Sequence, residues 1–154
     1  MLERLQKIPF LRALPEEVLL DWSTQMQEHR ISARETVIRE GDEAGEIYFF
    51  IEGQLSVHKT APDGQLYKVA VLRAGEVPFF GEGAAFDHDP RSATVVSDTS
   101  CYTVKVTREA FEWFCRKYPE HALPICLTMV RGVMQRLRKA NSDLLHFYRN
   151  KSAA

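Results

Sequence analysis

The sequence predicts a mainly β fold with flanking helices: a jelly-roll-like β-barrel reached through N-terminal helices, interrupted by one glycine-rich segment and left through a long C-terminal helix. Three observations carry that expectation. Apolar residues recur at helical spacing at both ends of the chain, six short β-type segments separated by turn residues fill the middle, and a last apolar stripe keeps a three-and-four step from Leu127 to Tyr148. Composition agrees, because 154 residues with 45% hydrophobic and 10% aromatic side chains suffice for one core, so residues 1–154 are read as a single domain.

Taken in order, Leu2, Leu5 and Ile8, then Val18, Leu19, Trp22 and Met26, place two short helices within residues 1–28, with Pro15 suited to a first helical turn. From about His29 the pattern changes. Segments 36–38, 47–51, 55–59, 67–72, 94–96 and 102–106 are rich in β-branched and aromatic residues, and Asp63-Gly64 signals a hairpin. Closing such strands into a roll over residues 29–107 hides their edges and leaves a pocket inside. Residues 108–150 then hold the C-terminal helices, the first carrying Phe111, Phe114 and Cys115 on one side and ending near Pro119, the second starting close to Pro124.

Several function classes are disfavoured. Twenty basic against twenty-one acidic residues give a net charge of −1, so bulk electrostatics favour neither nucleic acid nor an anionic membrane, and the basic run from Arg131 to Lys139 reads as a solvated helix face. Cys101, Cys115 and Cys126 lack zinc spacing, which suits reduced core thiols and a cytoplasmic location. The five histidines form no His-x-His or His-x-x-x-His pair, so neither a metal nor a cofactor is expected. With no Gly-x-Ser-x-Gly elbow and no Walker loop, the chain offers no candidate nucleophile and is read as non-catalytic. No stretch reaches the roughly 18 apolar residues of a membrane helix, and export is not expected either.

The interrupting segment carries the chemistry. Residues 79–94, FFGEGAAFDHDPRSAT, set Glu82 between two glycines and place a lone arginine nine positions after it. Gly81 and Gly83 permit close main-chain approach, so N–H groups there can face an anion. Glu82 can accept a hydrogen bond from a sugar hydroxyl, and Arg91 offers a planar fork that matches two phosphate oxygens. Together these describe a cyclic nucleotide. Taken singly they say less: Arg91 alone reads as a surface residue after the Asp89-Pro90 turn, Glu82 as a solvated or capping carboxylate, and His88 as a solvent-facing loop residue or a pocket liner.

The same residues make the chain resemble the cyclic-nucleotide-binding domains of bacterial catabolite activator proteins, protein kinase A regulatory subunits and nucleotide-gated channels. Phe80-Gly81-Glu82-Gly83-Ala84-Ala85 followed by Pro90-Arg91-Ser92-Ala93 is similar to that family's phosphate-binding cassette, here residues 80–94. Phe10-Leu11 with Leu14-Pro15, and Gly41-Asp42 with Ile47-Tyr48 and Gly53-Gln54-Leu55, extend the likeness from residue 8 to about 148. Two departures stand out: Ala85 replaces a usual leucine, and Gly75 to Gly81 carries two more residues than the common Gly-x-x-Phe-Gly spacing. The resemblance implies that Gly81, Gly83, Ala84 and Arg91 hold the phosphate, that Ser92 touches it or closes the turn, and that Glu82 holds the ribose. It places the base against the final helix at Arg136, Ala140 or Asn141, where the usual Thr-Ser pair is missing. cAMP is favoured over cGMP, and the small Gly83 and Ala85 raise a cyclic dinucleotide as a weaker option. Relatives that regulate transcription carry a helix-turn-helix after this helix. Here the sequence ends at Ala154 without one, so direct DNA reading is not expected; either the dimer signals to another protein or this is the sensor part of a longer protein that carries the effector.

The final helix holds a second pattern. Leu127, Val130, Met134, Leu137, Asn141, Leu144 and Tyr148 trace a heptad seam in which Asn141 takes a position equivalent to Leu127 and Met134. A polar residue there is costly to bury unless its twin pairs with it, which predicts a parallel homodimer with Asn141 setting the register; the alternative is a stripe packed on the chain's own barrel. The expected function is a homodimeric cyclic-nucleotide sensor that transmits occupancy through this helix. Its rivals are a ligand-free dimerisation module of the same fold and a barrel enzyme.

Overall fold

Three short helices lead in, α1 (Leu2–Leu5), α2 (Pro9–Arg12) and α3 (Glu16–Ser23). Eight strands follow: β1 (Met26–Ile31), β2 (Thr36–Ile38), β3 (Glu46–Glu52), β4 (Gln54–Thr60), β5 (Leu66–Arg73), β6 (Phe79–Phe80), β7 (Thr94–Ser97) and β8 (Cys101–Thr107). A helical turn, α4 (Gly83–Phe86), interrupts them between β6 and β7, and α5 (Arg108–Lys117) and α6 (Pro119–Ser152) close the chain. The computed structural model describes residues 1–86 and 89–152, with side chains up to residue 146, so the sequence readings of His88 and of the Tyr148 side chain fall outside the described residues. The strands make two antiparallel sheets, ordered β1-β8-β3-β6 and β2-β7-β4-β5, which form the roll that the sequence predicts.

Alternation along β3 explains the layering. Ile47, Phe49 and Ile51 point to one core and Tyr48 and Phe50 to another, so the strand is buried on both faces and reads as a continuous apolar run. The first core lies between the β1-β8-β3-β6 sheet and the helices, where Trp22 of α3 stacks on Phe114 of α5 with ring centroids 3.7 Å apart. The second fills the roll interior, with Phe50, Leu55, Phe80 and Val95 from both sheets. Each fully buried ring, such as Trp22, Phe49 or Phe114, contributes about 2–3 kcal/mol through the area it removes from water.

Three sequence expectations need correction. Three short helices, rather than two, precede the roll, and Met26 opens β1 opposite Val106 instead of ending a helix. The Ser23 and Thr24 hydroxyls donate to the Leu20 and Asp21 carbonyls at 2.6 and 2.7 Å, which competes with continuation of α3. The long helix starts at Pro119 instead of near Pro124. Proline at the first helical position loses an N–H that has no intrahelical partner, and Pro124, one turn further, removes a single ladder bond that the rest of α6 tolerates. The predicted hairpin lies between β4 and β5, where Gly64 N–H donates to the Ala61 carbonyl at 2.8 Å.

Candidate functional site

A cavity of about 350 Å³ opens between the β2-β7-β4-β5 sheet and the cassette. Ile38, Val57, Leu72 and Val95 give it an apolar wall; Gly81 to Ala84, Arg91 and Ser92 give it a polar rim, and Arg136 of α6 reaches its edge. The structure thus brings together Gly81, Glu82, Gly83, Ala84, Arg91, Ser92 and Arg136. It does not bring in Ala140 or Asn141, which lie further along α6, exposed and outside the cavity lining. In this helix pose α6 has already passed the cavity when it reaches them.

Arg91 is only 8% exposed, and its surroundings are built to hold it. Its Nη1 donates to the Gly81 carbonyl at 3.1 Å and its Nη2 to the Glu46 carbonyl at 2.8 Å. Its main chain is tied down as well: Arg91 N–H donates to Asp42 O at 2.8 Å, and Gly41 N–H donates to Arg91 O at 2.9 Å. The Glu46 carboxylate stands 3.8 Å from Nη2 and shares its charge with Lys105, also at 3.8 Å. Tyr48 stacks on Phe80, which lines the cavity, with centroids 4.8 Å apart; burial first, and then the Glu46 charge, push its hydroxyl up to about 12, so it stays protonated. A guanidinium beside an apolar wall, with its closest hydrogen bonds made to neutral carbonyls, has the chemistry to receive an anion. Gly81 makes this arrangement possible: its φ is +70°, and a Cβ there would meet Arg91 Nη1 at 2.9 Å.

Glu82 is held differently. Its carboxylate pairs with the Arg136 guanidinium, which also lies over the Phe79 ring at 5.2 Å. Helix α6 reaches this point because Gly132 lets it ride directly on Phe79, where a Cβ would lie 2.8 Å from Cζ. The pair crosses the mouth of the cavity and joins cassette to helix.

Two contacts escaped the sequence reading. Arg108, the first residue of α5, donates from Nε to the Ala84 carbonyl at 2.6 Å and from Nη2 to the Ala44 carbonyl at 3.3 Å, fixing α4 from beneath. An arginine in the first turn of a helix opposes the macrodipole, and that was the available signal. Lys59 donates to the Ser92 carbonyl at 2.6 Å and pairs with Glu40, which in turn accepts from Thr60 N–H at 2.9 Å. No sequence signal marked that clamp.

The two faces of α6 differ. Ala122, Ile125 and Met129 are buried against the chain's own core. Leu127, Val130, Met134, Leu137, Asn141 and Leu144 are exposed, Leu137 by 50% and Leu144 by 52%, so the chain's own barrel does not cover the heptad stripe. Among the described residues no group of His, Cys, Asp and Glu is placed to hold a metal, and no helix is long and apolar enough to cross a membrane.

A β-roll with a buried arginine facing an apolar cavity, closed off by a glycine-rich cassette and a helix, is the architecture of a ligand-binding domain. The chain belongs to the cyclic nucleotide-binding domain family, whose model matches residues 28–118. It is 29% identical over 109 residues to the CRP-like cAMP-activated global transcriptional regulator of Mycobacterium tuberculosis, covering 71% of this chain and 46% of that protein. It is 26% identical over 132 residues to the cAMP-activated global transcriptional regulator CRP of Haemophilus influenzae, covering 84% of this chain and 58% of that one. The chain therefore spans about half the length of these curated relatives. A crystal structure of a cyclic nucleotide-binding domain from Methylobacillus flagellatus superposes with a TM-score of 0.78 over 94% of this chain and 80% of that one; at 22% identity it shows the fold alone.

Proposed function

We propose that this chain is a cyclic-nucleotide sensor, with cAMP preferred to cGMP, that works as a homodimer and passes occupancy through α6 to an effector protein. The observation that carries the reading is the buried Arg91 guanidinium, set in an apolar cavity of about 350 Å³ that also opens onto the Glu82 carboxylate. In this reading Arg91 and the main-chain N–H groups of Gly83 and Ala84 hold the cyclic phosphate, and Ser92 closes the turn beside it. Glu82 takes the ribose 2′-hydroxyl and the base lies toward Arg136. The names of the two curated relatives, both cAMP-activated, support cAMP.

Mechanistically, the ribose competes with Arg136 for Glu82. A ligand shifts a helix equilibrium only by as much as it prefers one pose, and this competition supplies the preference. The exposed stripe of α6 supports the dimer, because an uncovered heptad seam with Asn141 in register is stabilised by a second copy of itself.

Titration calorimetry against cAMP, cGMP, a cyclic dinucleotide and linear AMP tests the ligand. The expected result is binding of cAMP that Arg91→Ala weakens by about 2–5 kcal/mol, as when a buried phosphate loses its charge partner. Equal affinity in wild type and variant would sink the mechanism. Sedimentation tests the seam: wild type is expected to be dimeric and Asn141→Leu to change its oligomeric state or register, whereas a monomeric wild type refutes it. A dimer that binds no nucleotide would instead be an interaction module of the same fold.

A further inference from the structure

We propose that a groove between α6 and residues 76–79 docks an extended segment of the effector protein, of the pattern acidic-x-apolar-x-acidic, and docks it more tightly when the cyclic nucleotide is bound. The groove encloses about 330 Å³. One wall is Val77, Pro78 and Phe79, from the stretch before the cassette that carries two more residues than the common spacing, so the departure noted in the sequence builds the groove. This wall is apolar and fixed: the N–H groups of Glu76 and Val77 donate to the Arg73 carbonyl at 3.1 and 3.0 Å, and the Pro78 carbonyl accepts from Phe50 N–H at 2.9 Å. The facing wall is α6, which meets Phe79 through Gly132 and carries Arg131, Gln135, Arg136 and Lys139 along the rim. Among the described residues of the lining, three cations face one carboxylate, Glu76, which already stands 4.0 Å from Arg73. Arg131 and Lys139 have no ion-pair partner among the described residues.

The charge pattern selects the occupant. Arg131 and Lys139 stand two helical turns apart on α6, about 12 Å along its axis, which one small anion cannot bridge but about four residues of extended chain do. Residues i, i+2 and i+4 of such a chain share a face, so its two carboxylates meet Arg131 and Lys139 while the side chain between them packs on Val77, Pro78 and Phe79. A nucleic-acid strand offers the charge without the apolar anchor, and a net charge of −1 does not draw one in. Thr128, Gly132, Gln135 and Lys139 take heptad positions opposite the exposed stripe, so the groove stays open when two copies pair. Arg131 borders the stripe without entering it. The coupling, and the assignment of the segment to the effector, rest on the function proposed above. Arg136 lines both the cavity and the groove and pairs with Glu82. Once the ribose takes Glu82, the Arg136 charge is released to the groove, and linkage requires the docked segment to raise nucleotide affinity by the same factor.

The test uses all 154 residues and two fluorescein-labelled peptides, Gly-Glu-Ser-Leu-Ser-Glu-Gly and the same peptide with lysine for glutamate, read by anisotropy. The acidic peptide is expected to bind and the basic one not. Replacing its leucine with serine, or combining Arg131→Glu with Lys139→Glu in the protein, should weaken binding at least about tenfold. Both substituted residues are exposed, and the variant should keep the wild-type urea midpoint, which separates loss of the groove from loss of the fold. Equal peptide affinity in variant and wild type, or no binding of the acidic peptide to wild type, would overturn the site. A thymidine oligonucleotide of equal charge that binds more tightly than the peptide would overturn the choice of occupant. Saturating cAMP is expected to tighten peptide binding at least about threefold. Unchanged peptide affinity in a protein that calorimetry shows to be loaded would overturn the coupling. If cAMP does not bind, the reading of the cavity fails, while the groove stands or falls by the measurements without nucleotide.

Discussion

Arg91 and Glu82 line one cavity, yet the roll holds the first and a helix outside the roll holds the second. Arg91 donates to the carbonyls of Gly81 and Glu46, and its main chain is bonded to Asp42 and Gly41. Glu82 instead pairs with Arg136, which stands on α6 beyond Met129, the last of this helix's described residues to be buried in the core. A charge fixed by backbone needs no reorganisation to meet a phosphate, whereas a charge already paired with a helix outside the roll becomes available only through exchange. On the proposed function, the first end supplies affinity and the second end supplies the signal.

The strongest way to break this contrast is to loosen the fixed end without touching its charge. Gly81→Ala adds a methyl 2.9 Å from Arg91 Nη1 and 3.2 Å from both Glu46 O and Tyr48 Cδ2, at a φ of +70°. The left-handed backbone alone costs about 1–2 kcal/mol of stability, and the displaced guanidinium should remove most cAMP affinity. Gly45→Ala is the control, because a methyl there meets open space. Urea unfolding and calorimetry read the two effects; wild-type affinity in G81A would show that Arg91 is not held through this contact.

The switchable end should respond more weakly and in a different observable. Arg136→Ala removes the partner of Glu82 and the cation over Phe79, an interaction of about 1 kcal/mol for a partly exposed pair. Its larger effect should appear in hydrogen exchange. In wild type, cAMP should alter exchange along α6 beyond Gly132; in R136A that difference should vanish while Arg91 still binds the ligand. Persistence of the ligand-dependent difference would mean that the helix is driven from elsewhere.

How far each end could be read from sequence follows from the same contrast. Strands β2 to β5, β7 and β8 announce themselves through β-branched and aromatic runs, and the spacing of Glu82 and Arg91 falls within one continuous segment. What stayed hidden depends on partners distant in sequence. Edge strand β1 carries Gln27, Glu28, His29 and Arg30, polar residues whose strand character comes from pairing with β8. The two-residue β6 exists because Phe79 and Phe80 find Phe49 and Tyr48. Arg108 and Lys59 bond carbonyls chosen by packing, and no local pattern names a carbonyl. Arg136 was placed at the cavity for the base, but its pairing with Glu82 depends on the direction of α6, which Gly132 and Phe79 set together.

The smallest predicted effect sharpens the fixed end from outside the cavity. Glu40 ties the ends of β2 and β4 together and, through Lys59, steadies the Ser92 carbonyl next to Arg91. The Lys59 hydrogen bond first, and then Thr60 N–H, lower its carboxyl from the ordinary 4.5 to about 2. Because the folded value is depressed, the contribution to stability is fully present above about 4.5 and is lost as pH falls toward about 2. Glu40→Gln should therefore lower the urea midpoint at neutral pH, and the gap to wild type should close between those two values. A gap that stays constant across the same range would mean that the carboxylate charge is not what holds Lys59.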